Sequence, residues 1–252
     1  SVENPLEYWD VNVKGSISLL KVMRKYNCKT IVFSSSATIY GEVSPYPLPE
    51  STKIKPKNPY GDTKAAVELI LENIFLSAKD TWRIAILRYF NPIGAHESGL
   101  LGEDPLDTPN NIFPYICKVA IGDFKELKIF GNDWPTKDGT GIRDYIHVMD
   151  LARAHKNALD FLLKGEPQCI KVNIGTGKGA SVLELIKTFE KVNNCKIPYL
   201  VVKRRNGDVP YVVAKNDLAI SLLGWTPQKS FEEMCIDGFR WQVNNPKGYK
   251  AS

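Results

Sequence analysis

A tyrosine followed four residues later by a lysine occurs three times in the chain, but only one copy is placed where the pair could do chemistry. The copies are Tyr60/Lys64, Tyr199/Lys203 and Tyr211/Lys215. The second and third copies lie in valine-rich runs that indicate strands, where four residues span about 13 Å and keep the two side chains apart. Tyr60 instead follows a proline at a predicted helix start, which places Tyr60 and Lys64 one turn apart on the same helical face.

This spacing suits acid–base chemistry at neutral pH. A free tyrosine has a pKa of about 10 and is a poor base. A neighbouring ammonium and the positive end of a helix both favour the phenolate, so they are expected to lower the pKa of Tyr60. Tyr60 could then exchange a proton with a substrate hydroxyl. The spacing also fits a structural alternative, in which Tyr60 packs at the helix start and Lys64 is solvated.

Three consecutive serines strengthen the catalytic interpretation. Ser34, Ser35 and Ser36 follow the apolar run of residues 30–33, which indicates a buried parallel strand. Ligands of open α/β sheets bind at the carboxyl ends of such strands. A serine hydroxyl there could orient a substrate alcohol beside Tyr60, although serines also satisfy backbone groups at strand ends. A strand that ends in serines, followed by a helix that carries the Tyr–Lys pair, favours a functional site over a structural role for each feature alone.

The elements that hold these residues alternate along the chain. Apolar periodicity predicts helices over residues 4–26 and 60–79, and continuous apolar runs predict strands over 30–33 and 84–90. This order is typical of an α/β fold with a doubly wound, Rossmann-type parallel sheet. We therefore assign residues 1–95 to part of a Rossmann domain that carries the Tyr/Lys pair.

The composition changes from about residue 91, after which the predicted loops are rich in glycine, proline, asparagine and aspartate. Short strands are predicted over residues 127–130, 143–148, 170–174 and 199–202, and helices over 112–121, 149–164, 181–193, 215–223 and 230–243. Residues 96–252 are accordingly expected to form a smaller α/β portion for substrate binding, some segments of which return to the main sheet.

Bulk composition argues against several classes of protein. The net charge is only +5, and the basic run Lys203-Arg204-Arg205 is too short for nucleic acid but suits one or two phosphates, or a solvated strand end. The five cysteines are far apart and form no metal-binding or disulfide pattern, which predicts reduced thiols in a cytoplasmic protein with no metal. No apolar run approaches the length of about 20 residues that spans a membrane.

Several motifs, in order along nearly the whole chain, resemble the UDP-glucose (UDP-galactose) 4-epimerases of the extended short-chain dehydrogenase/reductase family. They are FSSSATIYG at 33–41, NPYGDTK at 58–64, RYFNPIGAH at 88–96, PNNI at 109–112, IFGN at 129–132, DGTGIRDYIHV at 138–148, RRNGD at 204–208 and NPKGY at 245–249. An ordered series of this kind is far more specific than any single motif.

The resemblance implies NAD-dependent inversion at C4 of a UDP-hexose, UDP-glucose or UDP-galactose, through a transient 4-keto intermediate. Tyr60 would be the acid/base, Lys64 would lower its pKa and hold the nicotinamide ribose, and Ser36 would bond the sugar 4-hydroxyl. The implied cofactor contacts are Ser34, Ser36, Tyr60, Lys64 and Tyr89. The implied substrate contacts are Ser36, Ala37, Thr38, Tyr89, Phe90, Asn91, Asn110, Asn111, Ile112, Phe130, Arg143, Tyr145, Arg205, Asp208 and Val212. A small residue at Val212 could leave room for a 2-acetamido group.

Related activities remain as alternatives. Nucleotide-sugar 4,6-dehydratases resemble this family but carry an Asp-Glu pair where this chain has Ala37 and Thr38, so elimination lacks its acid and base. Decarboxylating relatives are less clearly excluded. The turn at residues 175–180 matches G-x-G-x-x-A, which could form an NADP site of its own with Arg204 and Arg205 or could simply be a tight turn.

The resemblance also implies a dinucleotide-binding segment of about 90 residues ahead of Ser1, and this sequence does not contain it. We expect the sequence to be a fragment of a complete enzyme. The missing half could instead come from another chain, or the protein could be a short, inactive sugar-nucleotide-binding or interaction protein. The family implies a homodimer for the complete chain, with helices 4–26 and 60–79 as candidate contacts.

Overall fold

The structure is a computed structural model that describes residues 1–42, 46–105, 108–205 and 207–249. The chain divides into two units. The first comprises residues 1–90, 153–177 and 214–226, and the second comprises residues 91–152, 178–213 and 227–252. In the described part of the chain, none of the helices combines the length and the apolar character needed to span a membrane.

Helices and strands alternate as the sequence predicts. The helices are α1 Pro5–Tyr8, α2 Gly15–Lys25, α3 Pro59–Ser77, α4 Ile112–Ala120, α5 Val148–Lys164, α6 Val182–Asn193, α7 Asp217–Leu223 and α8 Phe231–Asn244. The strands are β1 Thr30–Ser36, β2 Arg83–Tyr89, β3 Asn91–Ile93, β4 Leu127–Phe130, β5 Ile142–His147, β6 Gln168–Ile174, β7 Gly179–Ser181, β8 Tyr199–Val202 and β9 Tyr211–Val212. The predicted α/β fold class is confirmed, and β1 extends through all three serines.

A three-stranded parallel sheet, in the order β1-β2-β6, forms the centre of the first unit. Its register places Ser35 opposite Arg88 and Ser36 opposite Tyr89. Parallel pairing therefore brings the serine run and the end of β2 to one edge of the sheet, the edge at which ligands bind in this class of fold. Helix α3 packs on the sheet through a core that includes Val67, Leu71, Trp82, Ile84 and Ile86.

Helix α3 begins at Pro59 because its first turn is capped. The Asn58 side chain accepts a hydrogen bond of 2.9 Å from the Gly61 N–H, and a proline is favoured in the first turn. A Cβ atom at position 61 would lie 3.0 Å from the Thr38 carbonyl oxygen. Glycine thus lets the helix start approach the loop after β1, which sets Tyr60 beside the serine run.

The second unit is built around strand β5. Strands β3 and β9 pair with β5 in parallel, β7 pairs with it antiparallel, and β4 and β8 form a separate parallel pair. Helices α4, α6 and α8 contribute to a core that includes Phe113, Ile116, Ile129, Phe189 and Met234.

The predicted helix over residues 4–26 differs from expectation in one respect. A π-helical turn over Trp9–Lys14 joins α1 to α2. Leu20 of the predicted apolar face is buried, whereas the side chains of Leu6 and Trp9 are 79% and 40% exposed. The face therefore reaches the core of the first unit through Leu20, with Val13 packed against it, and π-helical turns are frequent near functional sites.

Candidate active site

The three side chains on which the sequence argument depends lie together in the first unit. Tyr60 is the second residue of α3, and the Ser36 side chain interacts with its phenol closely enough to favour the phenolate. The Lys64 ammonium lies 5.6 Å from the Tyr60 ring centroid and donates a hydrogen bond of 2.8 Å to the Ser34 carbonyl oxygen. The carboxyl end of β1 and the first turns of α3 thus bring together a phenol, an ammonium and a serine hydroxyl.

The pKa of Tyr60 is raised, contrary to the expected lowering by Lys64. Burial raises the pKa of Tyr60 to about 12, and Tyr89 and Tyr8 add to the rise, whereas the Ser36 side chain opposes it. Burial also lowers the pKa of Lys64. Desolvation disfavours the charged form of both groups, and the Lys64 ammonium is directed to a carbonyl oxygen rather than to the phenol.

The remaining residues predicted around the serine run occupy different environments. Ser36 Oγ accepts hydrogen bonds from the Thr38 N–H at 3.3 Å and from the Thr38 hydroxyl at 2.9 Å, because Ser36 caps the 3-10 turn over Ala37–Ile39. Thr38 is exposed, whereas Ala37 and Phe90 are buried. Of the small residues after β1, therefore, Thr38 is the more accessible to a ligand.

A histidine that the sequence did not single out completes one side of this cluster. His155 Nε2 lies 2.7 Å from Ser34 Oγ in a hydrogen bond, and its ring centroid lies 6.4 Å from that of Tyr89. His155 is on α5, 121 positions after Ser34. No local sequence pattern could have paired the two residues, because the contact forms only when β1 and α5, which are far apart in sequence, pack together.

Asn12, in the π-helical turn, is a second residue that sequence reasoning missed. Its side-chain amide donates a hydrogen bond of 3.0 Å to Thr63 Oγ1, and the Thr63 hydroxyl donates one of 2.8 Å to the Tyr60 carbonyl oxygen. The Tyr8 ring also meets Tyr60 edge-on at 6.4 Å. The N-terminal helical segment thus braces the first turn of α3, and Asn12 sits beside the candidate acid/base.

The second unit contains a cavity of about 290 Å³. The predicted substrate contacts that line it are Asn91, Asn110, Asn111, Ile112, Phe130, Arg143, Tyr145, Arg205 and Asp208. Residues that the sequence did not single out also line it, namely Pro109, Tyr115, Leu127, Lys128, Ile129, Trp134, Gly141 and Val182. Two arginines, amide side chains and aromatic rings in one cavity are suited to a nucleoside diphosphate.

Each residue of the basic run has a different environment. The Arg205 guanidinium lies over the Phe130 ring at 4.3 Å from its centroid. The Arg204 guanidinium lies over Trp134 at 3.8 Å and bonds Asp133 Oδ1 at 2.7 Å. Lys203 is exposed and lies outside the described lining of the cavity. Only Arg205 of the three therefore faces a ligand site, and Arg204 anchors the loop that carries it.

Two further side chains define the polar character of the cavity. Arg143 Nη1 donates hydrogen bonds of 2.9 Å to the carbonyl oxygens of Ile142 and Val209, which fix the guanidinium. The Tyr145 hydroxyl is buried without a hydrogen-bond partner in the described part of the chain, and burial raises its pKa. An orphaned hydroxyl in the wall of a cavity is a signal for a ligand that completes its hydrogen bonding.

Val212 does not belong to the described lining of this cavity. It lies in the short strand β9, paired in register with Arg143 of β5. The predicted contact of Val212 with the sugar therefore has no support from the cavity geometry.

The glycine-rich turn at residues 175–180 has structural explanations. Gly177 has a φ of +73° and packs against the Asn216 side chain, and the Asn216 amide donates to the Gly175 carbonyl oxygen at 3.0 Å. The following helix, α6, is closed by a capping box between Ser181 and Glu184. A capped helix start and glycines required by backbone geometry favour the tight-turn interpretation over an NADP site.

Comparison with known proteins places this geometry in a family. A family model described as GDP-mannose 4,6 dehydratase matches residues 1–237. A bifunctional UDP-glucose 4-epimerase and UDP-xylose 4-epimerase from Pisum sativum is 51% identical over 252 residues, which cover 100% of this chain and 72% of that protein.

Two solved structures agree with that relationship. A UDP-glucose 4-epimerase from Stenotrophomonas maltophila, with bound NAD and formylated UDP-arabinopyranose, has a TM-score of 0.95 and 45% identity over 98% of this chain and 73% of its own. A UDP-glucose 4-epimerase from Bifidobacterium longum, in complex with NAD⁺ and UDP, has a TM-score of 0.94 and 46% identity over 99% of this chain and 74% of its own. The chain therefore belongs to the UDP-glucose 4-epimerase family of extended short-chain dehydrogenases/reductases.

Proposed function

We propose that this protein interconverts UDP-glucose and UDP-galactose by inverting C4 of the hexose, with NAD as cofactor. The observation that carries the proposal is the cluster of Ser36, Tyr60 and Lys64 at the ligand-binding edge of the parallel sheet, in a chain of the epimerase family. The cavity of the second unit supports it, because its arginines and amides suit a nucleoside diphosphate.

Tyr60 and Ser36 carry out the proton transfer in this mechanism. As phenolate, Tyr60 takes the proton of the sugar O4 while the C4–H bond is broken. It returns the proton to O4 after the 4-keto sugar has rotated and presented its opposite face. Ser36, whose side chain interacts with the Tyr60 phenol, orients the 4-hydroxyl. When bound, NAD⁺ supplies reversible hydride acceptance at C4.

The residues beside Tyr60 fit a nicotinamide ribose. An ammonium has three donors, and the Ser34 carbonyl oxygen uses one donor of Lys64, so donors remain for ribose hydroxyls. The tyrosine hydroxyl, the serine run and Tyr89 complete the proposed cofactor side. Residues 1–95 then serve mainly the cofactor and 96–252 mainly the UDP-sugar, with segments 153–177 and 214–226 joining the first unit.

The second unit anchors the substrate through its pyrophosphate and nucleoside. Arg143 and Arg205 would bond the pyrophosphate through charge-assisted hydrogen bonds, and Asp208 would accept from ribose hydroxyls. A firm anchor lets the 4-keto sugar rotate without leaving the protein, which inversion requires. Acceptance of UDP-N-acetylhexosamines remains a prediction that the position of Val212 does not support.

The experiment that tests the function follows conversion of UDP-galactose to UDP-glucose by the purified full-length protein, including the segment expected ahead of Ser1, with NAD, and resolves both sugars by chromatography. We expect both directions of conversion to reach one equilibrium mixture. Tight UDP binding without any conversion would instead favour the alternative of a sugar-nucleotide-binding protein. Loss of water or carbon dioxide from the sugar nucleotide would favour the dehydratase or decarboxylase alternative.

Replacing Tyr145 by phenylalanine is expected to weaken UDP binding by about 2- to 10-fold, the effect of one net hydrogen bond. The unfolding temperature should stay the same or rise, because the orphaned hydroxyl is removed from the core. Isothermal calorimetry with UDP and thermal unfolding measure the two effects. Tyr40→Phe is the matched control: the Tyr40 hydroxyl is fully bonded, so this variant should lose stability. Unchanged UDP affinity of Tyr145→Phe would contradict a ligand contact.

We also propose a homodimer that forms through α1, α2 and α3. Support comes from large apolar side chains that these helices expose: Leu6, Leu19, Val22, Leu69 and Leu76. Exposed apolar faces of this kind mark interaction surfaces. Sedimentation equilibrium should give twice the monomer mass at micromolar concentration, and a monomer throughout would contradict the proposal.

The five free cysteines support a reducing, cytoplasmic location.

A further inference from the structure

The most extensive polar network in the described core of the first unit lies behind the catalytic cluster rather than in it. Glu68 of α3 and Arg88 of β2 are each only 1% exposed. Arg88 Nη2 lies 2.6 Å from Glu68 Oε2, and Arg88 Nε lies 3.1 Å and 3.2 Å from the two carboxylate oxygens. This buried, forked ion pair links helix α3 directly to the neighbouring strand.

The network reaches the serine run as well. The Ser35 hydroxyl donates to Glu68 Oε1 at 2.5 Å, and the β1–β2 register sets Ser35 opposite Arg88. The other side of the guanidinium is fixed too, since Arg88 Nη1 donates to the Tyr40 hydroxyl at 3.1 Å and to the Glu50 carbonyl oxygen at 2.9 Å. One carboxylate and one guanidinium therefore tie together α3, β1, β2 and the loop after β1.

The residues of this network are sequence neighbours of the catalytic residues. Ser35 precedes Ser36 and Arg88 precedes Tyr89 in sequence, and Glu68 lies one helical turn after Lys64. A rotation or shift of α3 that moved Tyr60 away from Ser36 would also disturb the contacts of Glu68 with Ser35 and Arg88. The network thus restrains the geometry on which proton transfer depends.

Stability alone is a poor explanation for such a pair. Removing two charges from water is costly, and apolar residues of similar volume often replace a buried ion pair without loss of stability. A forked arginine–carboxylate pair does, however, fix distance and angle between two elements more narrowly than apolar packing does. A buried pair whose contacts adjoin a catalytic cluster is therefore best explained by geometry.

We propose that Glu68 and Arg88 are positioning residues that hold helix α3 at the carboxyl ends of β1 and β2, so that Tyr60 and Ser36 keep the distance that proton transfer requires. This inference rests on the proposed function. Neither residue contacts the sugar or the cofactor in this account, and each acts through its neighbours in the chain.

The test replaces the pair by apolar residues, in the double variant Glu68→Leu/Arg88→Met. We expect kcat for UDP-galactose to fall about 10- to 100-fold while UDP affinity and KM stay within about twofold, because the cavity residues belong to the second unit. The unfolding temperature should fall, because the Ser35 hydroxyl and the Glu50 carbonyl oxygen lose their hydrogen-bond partners even though apolar side chains fill the volume.

The pH dependence of kcat provides a readout that loss of stability would not change. The Ser36 side chain favours the phenolate form of Tyr60. If α3 shifts in the double variant, Tyr60 moves away from Ser36 and the rise of kcat with pH should move to higher pH. Ultraviolet difference titration against the same variant with Tyr60→Phe should show the same upward shift directly on the tyrosine.

The chain offers a matched control one turn further along α3. Glu72 forms an ion pair of 2.6 Å with Lys171 of β6, and both side chains are about one-third exposed. Glu72→Leu/Lys171→Met also removes a helix-to-strand ion pair, but within the described residues this pair makes no hydrogen bond to the serine run, so kcat and its pH profile should stay unchanged. Equal losses in both double variants would contradict a special role for Glu68 and Arg88.

Ser35→Ala keeps the test decisive should the double variant fail to fold, since it removes only one hydrogen bond to Glu68. We expect it to lower kcat about 3- to 10-fold and to shift the pH profile in the same direction. Wild-type kcat and pH profile in Ser35→Ala and in Glu68→Gln would overturn the proposal. Failure of the positioning proposal can be told apart from failure of the proposed function. In the second case, the unaltered protein itself would not convert UDP-galactose.

Discussion

Turnover of UDP-galactose should fall by about 10²- to 10⁴-fold when Tyr60 is replaced by phenylalanine, the range expected for removal of a general acid/base. The ring stays, so the edge contact with Tyr8 and the packing of the first turn of α3 are kept. The variant loses only the hydroxyl that interacts with Ser36. Ser36 Oγ still accepts from Thr38, so the unfolding free energy should change by no more than about 1 kcal/mol.

The measurement compares kcat with the affinity for UDP. UDP binding should be unchanged, because the cavity residues lie in the second unit. Tyr199→Phe is the matched control, since Tyr199 has the same four-residue spacing to a lysine but is 47% exposed on strand β8. Wild-type turnover in Tyr60→Phe would remove the catalytic assignment, and a comparable loss in Tyr199→Phe would show that the effect is not specific.

The unaltered protein should show a corresponding dependence on pH. Burial raises the pKa of Tyr60 to about 12. A base acts only in its deprotonated form, and below the pKa that fraction grows tenfold with each unit of pH. The rate of the chemical step should therefore increase with pH until the phenolate predominates, and a bound cationic cofactor should shift this rise towards neutral pH.

The affinity for UDP should fall by about 10- to 100-fold when Arg205 is replaced by alanine, as expected for the loss of hydrogen bonds to a charged group. The Arg205 guanidinium is held over the Phe130 ring in the wall of the cavity. Its planar fork presents two parallel N–H donors to two phosphate oxygens, a geometry that an ammonium does not reproduce. Arg205→Lys should consequently recover only part of the affinity.

Calorimetry with UDP at two salt concentrations separates a direct contact from a general effect of charge. Lys203→Ala removes a positive charge two residues away, and Lys203 is exposed outside the described lining of the cavity. Its effect should be small and should vanish at high salt, because exposed charges are screened. If Arg205→Ala behaved in the same way as Lys203→Ala, Arg205 would have no direct contact with the pyrophosphate.

Local chemistry explains why the helix start and the serine run could be found without a structure. Asn58 and Pro59 specify the beginning of α3, and apolar runs specify parallel strands whose carboxyl ends meet at one edge. The positions of Ser36, Tyr60 and Lys64 relative to each other follow from these short-range rules. Helix spacing, strand ends and caps depend on neighbouring residues, so the order of the residues is enough to predict them.

Tertiary structure decided the rest, because the contacts concerned join distant parts of the chain. It paired Glu68 with Arg88 and Ser34 with His155. It placed the guanidinium groups of Arg204 and Arg205 over different aromatic rings. It also reversed the expected pKa shift of Tyr60, since burial by the surrounding elements outweighs one ammonium. Sequence by itself determined which residues could do the chemistry; desolvation and long-range packing determined their partners and their protonation, because both depend on every element folded around them.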